Sequence, residues 1–365
     1  MQFHIDRQAN GVLSGWIVPT NPGGTPHVKV IVNDEEIAVV GPNVNRQDIK
    51  DLGLHTTGFV GFHIDDKVVK GIQKAENVQL VEQETGLMVH RHTASPYRIE
   101  KRVMFFNLCV VPQIRMRNMA NDLFSLTYTN SERITFATIS SILINHNAHS
   151  LFVMGRSNHN RIAEFLLSRD YMRFALLRDP VVELAERLVM IKQISRSTNR
   201  KLLENLVAGL ENLFGLCETI DLENEDSLHD AFTRLRPQQI QAIADPFLRA
   251  LVCDQGDEPE ERHISIALDR LAEFDAVGVE ERIDEFNTCV EEAIGRNLFA
   301  GYEPYVLPGT MELAERLQQI DKVQEYLEFD VVLYRELRDV IDTEFGSPRT
   351  APAPASGVPQ AAQRR

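Results

Sequence analysis

Residues 172–180, Met-Arg-Phe-Ala-Leu-Leu-Arg-Asp-Pro, place a cation between an apolar run and a helix start. The apolar run, residues 174–177, has the pattern of a strand buried on both faces of a parallel sheet. Arg178 follows it, and Asp179 and Pro180 are residue types that cap and begin helices. Because ligands of open α/β sheets bind at the carboxyl ends of strands, an anion here would meet the Arg178 guanidinium and a helix N-terminus. The alternative is an ordinary junction with Arg178 in solvent, and these residues alone favour neither.

Two further side chains are candidates for proton transfer, Glu132 and His159. Glu132 follows the first helix of this part of the chain and can face the same crevice, although a role at a helix start is the simpler interpretation. His159 is either a general base or a loop or core residue. No further ligands occur at the spacing of a metal site, so the sequence predicts no bound metal. The histidines clustered in this part of the sequence are His146, His149 and His159.

The composition is that of an ordinary globular protein, with 43% hydrophobic and 25% charged residues in a chain of 365. A formal net charge of −15 argues against nucleic acid as a main partner, since phosphate binding requires a basic surface. The four cysteines form no C-x-x-C pair, which argues against a zinc site or a disulfide framework. No apolar run reaches the length of a membrane span, and residues 1–10 lack the order of a signal peptide. These features predict a soluble, reduced, cytoplasmic protein.

Residues 1–92 read as short strands separated by turns, which predicts a small all-β sandwich. They resemble a β-sandwich module attached to bacterial glycosyltransferases and other cell-surface polysaccharide enzymes. The shared pattern is G-W, then R-x-D-[VI], then G-F, here Gly15-Trp16, residues 46–49 and residues 58–62. The resemblance implies an accessory role in carbohydrate binding or in docking to an assembly complex. From the residues alone, Trp16 is expected in the sandwich core, and Arg46 with Asp48 is expected to form a structural ion pair.

The rest of the chain alternates apolar runs with helical patterns, which predicts an α/β domain with a largely parallel sheet over residues 103–346. Residues 93–102 are polar and are expected to form a linker. Residues 347–365 are rich in Pro, Ala, Ser and Gln and are expected to be a disordered tail.

Taken in order, segments of this domain resemble the carbohydrate sulfotransferases of the Golgi type. Residues 174–180 are similar to the strand and R-D-P of that family's 3′-phosphate motif. The other segments that carry the likeness are residues 104–112, 152–155, 267–282 and 325–334. The resemblance implies a P-loop-like, mostly parallel sheet that binds 3′-phosphoadenosine 5′-phosphosulfate and transfers its sulfuryl group to a sugar hydroxyl without a metal. It implies that Arg178 binds the 3′-phosphate, for which a planar guanidinium fork is suited.

The sequence departs from the family at both phosphate-binding segments. The loop P-K-x-G-T-[ST] is replaced by Pro-Gln-Ile-Arg-Met-Arg at residues 112–117, so Gln113 stands in the place of the lysine. Arg115 or Arg117 are the candidates to supply the missing charge. In the second segment, R-D-P-x-x-R, Glu183 replaces the second arginine and would repel a phosphate. Arg187, one turn later, is the candidate substitute.

Two more arginines stand near the predicted crevice without an assigned role. Arg156 follows Gly155 where the family often has a histidine, and Arg249 lies in a segment similar to one near the family's acceptor cleft. Arg249 is equally compatible with a surface ion pair.

Three functions follow from the resemblance. The first is a bacterial sulfotransferase that modifies a cell-surface polysaccharide. The second is a sulfotransferase-like scaffold that has lost the nucleotide and binds glycan or polysaccharide-assembly partners. The third is a transferase that uses another activated donor. The altered loop at residues 113–117 favours the second, and the intact Arg178-Asp179-Pro180 favours the first.

Overall fold

The computed structural model describes residues 1–9, 11–93, 97–145, 147–254 and 256–346. His146 and the predicted tail, residues 347–365, lie outside the described residues. Of the helices described, none is both long and apolar enough to cross a membrane.

The N-terminal part folds into two antiparallel four-stranded sheets, with strand orders β1-β2-β6-β5 and β4-β3-β7-β8. This confirms the predicted all-β region. Over residues 2–5 of β1 and along β2 every second residue points inward, so the alternating apolar residues Phe3, Ile5, Leu13 and Ile17 form part of the core. The strands are β1 (Gln2–Ala9), β2 (Val12–Val18), β3 (Val28–Val32), β4 (Glu35–Val40), β5 (Val44–Asn45), β6 (Phe59–Ile64), β7 (Asn77–Glu82) and β8 (Met88–Thr93).

The expected position of Trp16 in the sandwich core is wrong. Because Leu13 and Ile17 of β2 face the core, the period-two alternation turns Trp16 to the outer face, where it packs in a small cluster with Ile49. The guanidinium carbon of Arg46 lies 6.0 Å from the Trp16 ring centroid. Arg46 also forms the predicted ion pair with Asp48, at 2.7 Å between nitrogen and oxygen.

The second part contains a five-stranded sheet in which all neighbouring strands are parallel. The strand order is β10-β11-β9-β12-β13, so the first strand of this part, β9, lies at the centre. The mixed α/β architecture is therefore confirmed. The strands are β9 (Arg102–Asn107), β10 (Leu126–Thr129), β11 (Leu151–Gly155), β12 (Met172–Leu177) and β13 (Ala276–Val279).

Helices connect these strands and cover the sheet. The predicted strand–turn–helix at residues 172–180 is present, since the Asp179 carboxylate accepts hydrogen bonds from the amides of Val181 and Val182 at 2.9 and 3.1 Å. The helices are α1 (Gln47–Asp51), α2 (Ile114–Leu123), α3 (Phe136–Leu143), α4 (His159–Ser168), α5 (Pro180–Arg196), α6 (Arg200–Leu203), α7 (Phe214–Thr219), α8 (Glu225–Thr233), α9 (Pro237–Ile243), α10 (Pro246–Leu251), α11 (Arg262–Ala272), α12 (Ile283–Ile294), α13 (Thr310–Leu317), α14 (Asp321–Tyr326) and α15 (Glu328–Phe345).

The sandwich packs directly on the parallel-sheet unit through strand β1 and helix α3. Residues of both parts belong to one buried apolar cluster, which includes Phe3 and Ile139. The amide of Phe3 donates to the Ser141 hydroxyl at 3.2 Å, and the Thr138 hydroxyl donates to the carbonyl of Met1 at 2.6 Å. The two parts therefore share a core, although β8 ends at Thr93 and β9 begins only at Arg102.

Candidate functional site

A cavity of about 390 Å³ opens where the carboxyl ends of β10 and β11 face helices α3, α5 and α10. Four arginines and one carboxylate line it, so its charged groups are predominantly cationic. The wall also includes apolar side chains, among them Ile134 and Leu210. The charged residues that line the cavity are Arg156, Arg161, Arg187, Arg249 and Glu132. We call it the arginine cavity.

Glu132 is fixed by the chain turn that follows β10. It lies in a short 3₁₀ turn, Ser131–Arg133, that begins after Asn130 in the left-handed conformation. Its Oε2 accepts the amide hydrogen of Arg156 at 3.1 Å, and its Oε1 lies 3.6 Å from Nη2 of Arg156. The carboxylate therefore stands at the wall of the arginine cavity, where the sequence-based hypothesis of a crevice-facing Glu132 places it.

Gly155, the last residue of β11, allows the Ser131–Arg133 turn to lie close to the end of this strand. Its φ is +147°, and a Cβ added there would lie 2.4 Å from the Ser131 nitrogen and 2.5 Å from Oε2 of Glu132. Any side chain at this position would push the 3₁₀ turn away. Gly155 thus determines the position of Glu132 relative to Arg156.

Arg156 is held by its amide and by two contacts of its side chain, one with Glu132 and one with Ala208. Its Nη2 donates to the carbonyl of Ala208 at 3.1 Å, whereas its Nε has no hydrogen-bond partner within the described chain. Burial lowers the pKa of the Arg156 guanidinium, and the Glu132 carboxylate opposes this change. Arg156 is thus a largely buried cation that is paired with Glu132 and whose Nε has no hydrogen-bond partner among the described residues, and an anionic ligand can stabilise such a group.

The remaining arginines reach the cavity from three helices. Arg187 on α5 donates from Nε to Oε1 of Glu183 at 2.9 Å, behind the cavity wall. Arg161 on α4 is exposed and lies over the Phe136 ring, 4.3 Å from its centroid. Arg249 on α10 donates from Nε to the carbonyl of Ala244 at 2.8 Å and pairs with Glu258, so it forms a surface ion pair, one of the two alternatives left open for it, and also lines the cavity.

Asn158 connects two of these helices. Its Oδ1 caps α4 by accepting the amide of Arg161 at 3.1 Å, and its Nδ2 donates to the carbonyls of Arg249 and Cys253 at 2.9 and 2.7 Å. One side chain therefore sets the separation between the helix that carries Arg161 and the helix that carries Arg249.

Arg178 does not line the arginine cavity. It is buried among three glutamates, with its Nε on Glu280, its Nη1 on Glu186, and its Nη1 3.8 Å from Oε2 of Glu183. We call these four residues the Arg178 cluster. Burial alone would lower the pKa of Arg178, but the surrounding anionic groups raise it. Two of its nitrogens are therefore engaged by glutamates, and Nη2 has no hydrogen-bond partner among the described residues, but the guanidinium is buried and is not presented to a ligand in the cavity.

The three glutamates have backbone or thiol partners of their own. Glu183 accepts the amide of Val110 at 2.9 Å, Glu186 accepts the amide of Leu307 at 2.8 Å, and Glu280 accepts the Cys109 thiol at 3.2 Å. Burial raises the pKa of Glu186 and of Glu280, and Arg178 acts in the opposite direction. The amide of Val110, next to the loop expected to hold the phosphosulfate, is thus occupied by a carboxylate of the protein itself.

Three of the other four residues expected in the donor site are also apart from the arginine cavity. Gln113 is buried, donates to the carbonyl of Val111 at 3.1 Å and accepts from the Tyr302 hydroxyl. Arg115 and Arg117 are exposed on α2, and Arg115 donates to the carbonyl of Gly301 at 3.1 Å. Of the residues named for this site, Arg187 alone lines the cavity, together with the proposed base Glu132.

His159 packs in the core instead of facing the cavity. Its ring lies between those of Phe106 and Phe274, at centroid distances of 5.5 and 5.7 Å. Neither ring nitrogen has a hydrogen-bond partner in the part of the chain that the structure describes, and burial lowers the pKa of His159 to about 4. A neutral, enclosed imidazole of this kind is unsuited to proton transfer with a ligand in the cavity.

Over the described ranges, no group of three or more His, Cys, Asp or Glu side chains is arranged to hold a metal ion. The feature that sequence reasoning missed is Arg161 as a cavity residue. The sequence contained a signal for it, because Arg156 and Arg161 flank Asn158, the residue that caps α4. Both arginines therefore lie close to the end of β11.

Two buried carboxylates hold the α10 side of the cavity in place. Asp330 accepts the amides of Phe247 and Leu248 at 2.7 and 2.9 Å, and Asp245 accepts those of Phe329 and Asp330 at 3.1 and 2.9 Å. Asp330 on α15 therefore caps the N-terminus of α10, and Asp245, which precedes α10, caps the N-terminus of α15. Burial raises the pKa of Asp330 from 3.8 to about 8, the Asp245 carboxylate adds to this, and the amide donors oppose it.

This shift has a defined effect on stability. Because the folded protein holds the Asp330 proton more tightly than the unfolded chain does, the stabilising contribution is present below about pH 4 and is lost as the pH rises towards 8. We expect the free energy of unfolding of the wild type to fall between pH 5 and pH 8, by on the order of 1 kcal/mol per pH unit from this group. Urea titrations at pH 5, 6, 7 and 8 measure it.

Burial raises the pKa of Asp245 as well, so Asp330→Asn removes one of two interacting carboxylates, and the stability of the variant should change less over the same pH interval. Asp339→Asn, an exposed position on α15, is the matched control and should follow the wild type. Parallel curves for the wild type and Asp330→Asn would contradict the expectation.

Comparison of the sequence with models of protein families and with curated proteins finds no match. The resemblances noted from short motifs are therefore expectations, and the arginine cavity and the Arg178 cluster are the features of the structure that bear on function.

Proposed function

We propose that the protein binds an anionic group of a cell-surface glycan in the arginine cavity, on a sulfotransferase-like scaffold that no longer holds the nucleotide. One observation carries the proposal. Arg178, the counterpart of the 3′-phosphate arginine, is enclosed by Glu183, Glu186 and Glu280, while a separate cavity beside it is lined by four arginines.

The strand arrangement supports the choice of scaffold. A central first strand with neighbours added on both sides creates a crevice at the carboxyl ends of the strands, where open α/β sheets bind their ligands. The R-D-P segment follows β12 at this edge, as the resemblance implies.

The charges of the Arg178 cluster disfavour 3′-phosphoadenosine 5′-phosphosulfate. Three glutamates face Arg178, and a second cation, Arg187, pairs with Glu183, so the five groups carry one net negative charge when all are ionised. A phosphate would have to displace buried carboxylates from Arg178 and from the Val110 amide, and the displaced carboxylates would then be buried without partners. This cost opposes binding of the nucleotide.

The arginine cavity suits an acidic sugar. A guanidinium presents paired N–H donors that match the oxygens of a carboxylate or a sulfate ester. The apolar residues Ile134, Ile139 and Leu210 line the same cavity and can contact the carbon face of a sugar ring. A volume of about 390 Å³ lies within the range of small-molecule sites.

Sulfuryl transfer at this cavity is the second candidate, and the position of Glu132 favours it. A general base must lie within hydrogen-bond reach of the acceptor hydroxyl, and Glu132 stands at the cavity wall. A transferase with another activated donor shares this feature. Both enzymatic candidates require that a donor bind to the protein.

Thermal unfolding with adenosine 3′,5′-bisphosphate and with a uronate-containing or sulfated disaccharide separates these functions. We expect no stabilisation by the nucleotide. An acidic disaccharide at a hundredfold excess over its Kd should stabilise the folded protein by about 2.7 kcal/mol, and added salt should reduce this effect. Arg161→Gln should weaken binding roughly tenfold, since it removes a charged donor from the cavity.

Arg115→Gln is the matched control, because Arg115 is an exposed arginine outside the cavity. Stabilisation by the nucleotide would contradict the proposal and favour sulfuryl transfer instead. Binding of an acidic disaccharide with equal affinity by the wild type and Arg161→Gln, or no binding by any of the acidic disaccharides, would refute the arginine cavity as the site.

A further inference from the structure

Three exposed arginines lie at the carboxyl edge of the parallel sheet, outside the arginine cavity. Arg115 and Arg117 are in the first turn of α2, which follows β9, and Arg133 ends the 3₁₀ turn that follows β10. Because β9 and β10 belong to one parallel sheet, the segments that follow them meet at the same edge. We call these three residues the cationic edge.

The charges of the cationic edge are close together and are not neutralised by ion pairs. Partial burial lowers the pKa of Arg133, the Glu132 carboxylate opposes this change, and Arg117 adds to it, so the two guanidiniums are within interaction range of each other. The Glu132 carboxylate pairs with Arg156 instead. Over the described part of the chain, no carboxylate forms an ion pair with Arg115, Arg117 or Arg133. In a chain with a net charge of −15, they form a local positive patch.

Large apolar side chains are exposed beside these arginines. Ile114 precedes Arg115 on α2 and is 56% exposed, and Phe136, the first residue of α3, is 41% exposed. Tyr305 is 57% exposed in the loop whose Gly301 carbonyl accepts a hydrogen bond from Arg115. Single exposed apolar residues are common on proteins, but here they adjoin cations that have no counter-charge. This combination suits the boundary between the headgroups and the acyl chains of a bilayer.

The opposite end of the same edge is acidic. The segment that follows β13 carries Glu281 and Asp284, both exposed, and Glu303 is an exposed carboxylate in the loop that contains Tyr305. A flat anionic surface is therefore attracted by the β10-β11-β9 end of the edge and repelled by the β13 end. The attracted end is also the end at which the arginine cavity opens.

We propose that the cationic edge binds the surface of an anionic phospholipid bilayer, with its guanidiniums on lipid phosphates and Ile114 among the upper carbons of the acyl chains. A guanidinium presents paired donors that match phosphate oxygens. A soluble polyanion would use the same arginines but would leave Ile114 in water, so the apolar side chains favour the bilayer as the partner. The docking does not depend on the proposed function of the arginine cavity, because neither Ile114 nor the cationic edge lines that cavity.

Co-sedimentation of the full chain with vesicles tests the proposal. The two probes are vesicles of phosphatidylcholine alone and vesicles of the same lipid with about one third phosphatidylglycerol. We expect binding to the anionic vesicles and little binding to the neutral ones. Salt at about 1 M, where the Debye length falls to about 3 Å, should release most of the bound protein.

Arg115→Gln, Arg117→Gln and Arg133→Gln combined should weaken binding to the anionic vesicles about a hundredfold, because each basic residue near such a surface contributes a factor of about five. All three side chains are exposed, so the variant should unfold at the temperature of the wild type. The matched control removes the same charge from exposed positions in other parts of the chain and should bind nearly as the wild type does. Its substitutions are Arg7→Gln, Arg234→Gln and Arg335→Gln.

Ile114→Ser leaves the arginines in place and should weaken binding about fivefold, because an apolar side chain is lost from the acyl region. Leu167→Ser, an exposed position near the other end of α4, is its control and should bind as the wild type does. Equal binding to both kinds of vesicle, binding to neither, or wild-type binding by the triple variant would overturn the proposal. Wild-type binding by Ile114→Ser would also overturn it, since the patch would then be a site for any polyanion.

Discussion

Arg178→Leu is expected to lower the free energy of unfolding by about 3–5 kcal/mol, the cost of leaving buried charges without their partner. The substitution would strand Glu183, Glu186 and Glu280, all of which are buried and in contact with Arg178. Urea denaturation monitored by circular dichroism measures the loss. Arg117→Leu, an exposed arginine, is the control and should change stability by less than about 0.5 kcal/mol.

The loss should also depend on pH. Burial raises the pKa of Glu186 and of Glu280, and without Arg178 the group that lowers these pKa values is gone. The folded variant would then hold these protons more tightly than the unfolded chain, so its deficit relative to the wild type should be smaller at pH 5 than at pH 8. An arginine that serves a ligand would behave differently. Its replacement would weaken binding and leave stability nearly unchanged, and that outcome would contradict the structural role assigned to Arg178.

Gly155→Ala is expected to be the second most damaging substitution. The φ of +147° is unfavourable for alanine and costs about 1–3 kcal/mol. The overlap of the new Cβ with the Ser131 nitrogen and the Glu132 carboxylate adds a similar amount, about 1–3 kcal/mol. Relief of the overlap would move Glu132 away from Arg156, so binding of an acidic sugar in the arginine cavity should change as well.

Gly209→Ala separates these two contributions. Gly209 also lines the arginine cavity and has a φ of +84°, but a Cβ there meets nothing within 4 Å. It should therefore show only the conformational cost, measured by the same urea titration. Equal losses for Gly155→Ala and Gly209→Ala would show that the contact with the Ser131–Arg133 turn has no energetic importance.

The sequence was informative where a single local pattern determines the structure. Strands β9, β11 and β12 are buried in the parallel sheet and read as continuous apolar runs, so they could be predicted. Strand β10, Leu-Thr-Tyr-Thr at the edge of the same sheet, alternates in burial and has no such run, and it was missed. The cap of α5 at Asp179 was predictable because it depends on neighbouring residues alone.

The candidate site could be predicted only in part, because its contacts join distant residues. Arg178 and Glu280 are 102 positions apart, and no local pattern indicates that they meet. Glu183 was expected to repel a phosphate, and its contact with the Val110 amide depends on the folded loop. His159 lies between the cavity residues Asn158 and Arg161 in the sequence. In the fold, however, Phe274, which follows the end of α11, stacks on its ring.

The packing of strand β1 against helix α3 fixes the orientation of the sandwich relative to the arginine cavity. A module on a flexible linker samples many orientations, whereas a module that shares a hydrophobic core with its neighbour has one. If the sandwich attaches to a glycan-coated surface, that attachment also fixes the direction in which the arginine cavity opens. The two parts would then move as one rigid body, with the mouth of the cavity at a fixed angle and distance from the surface.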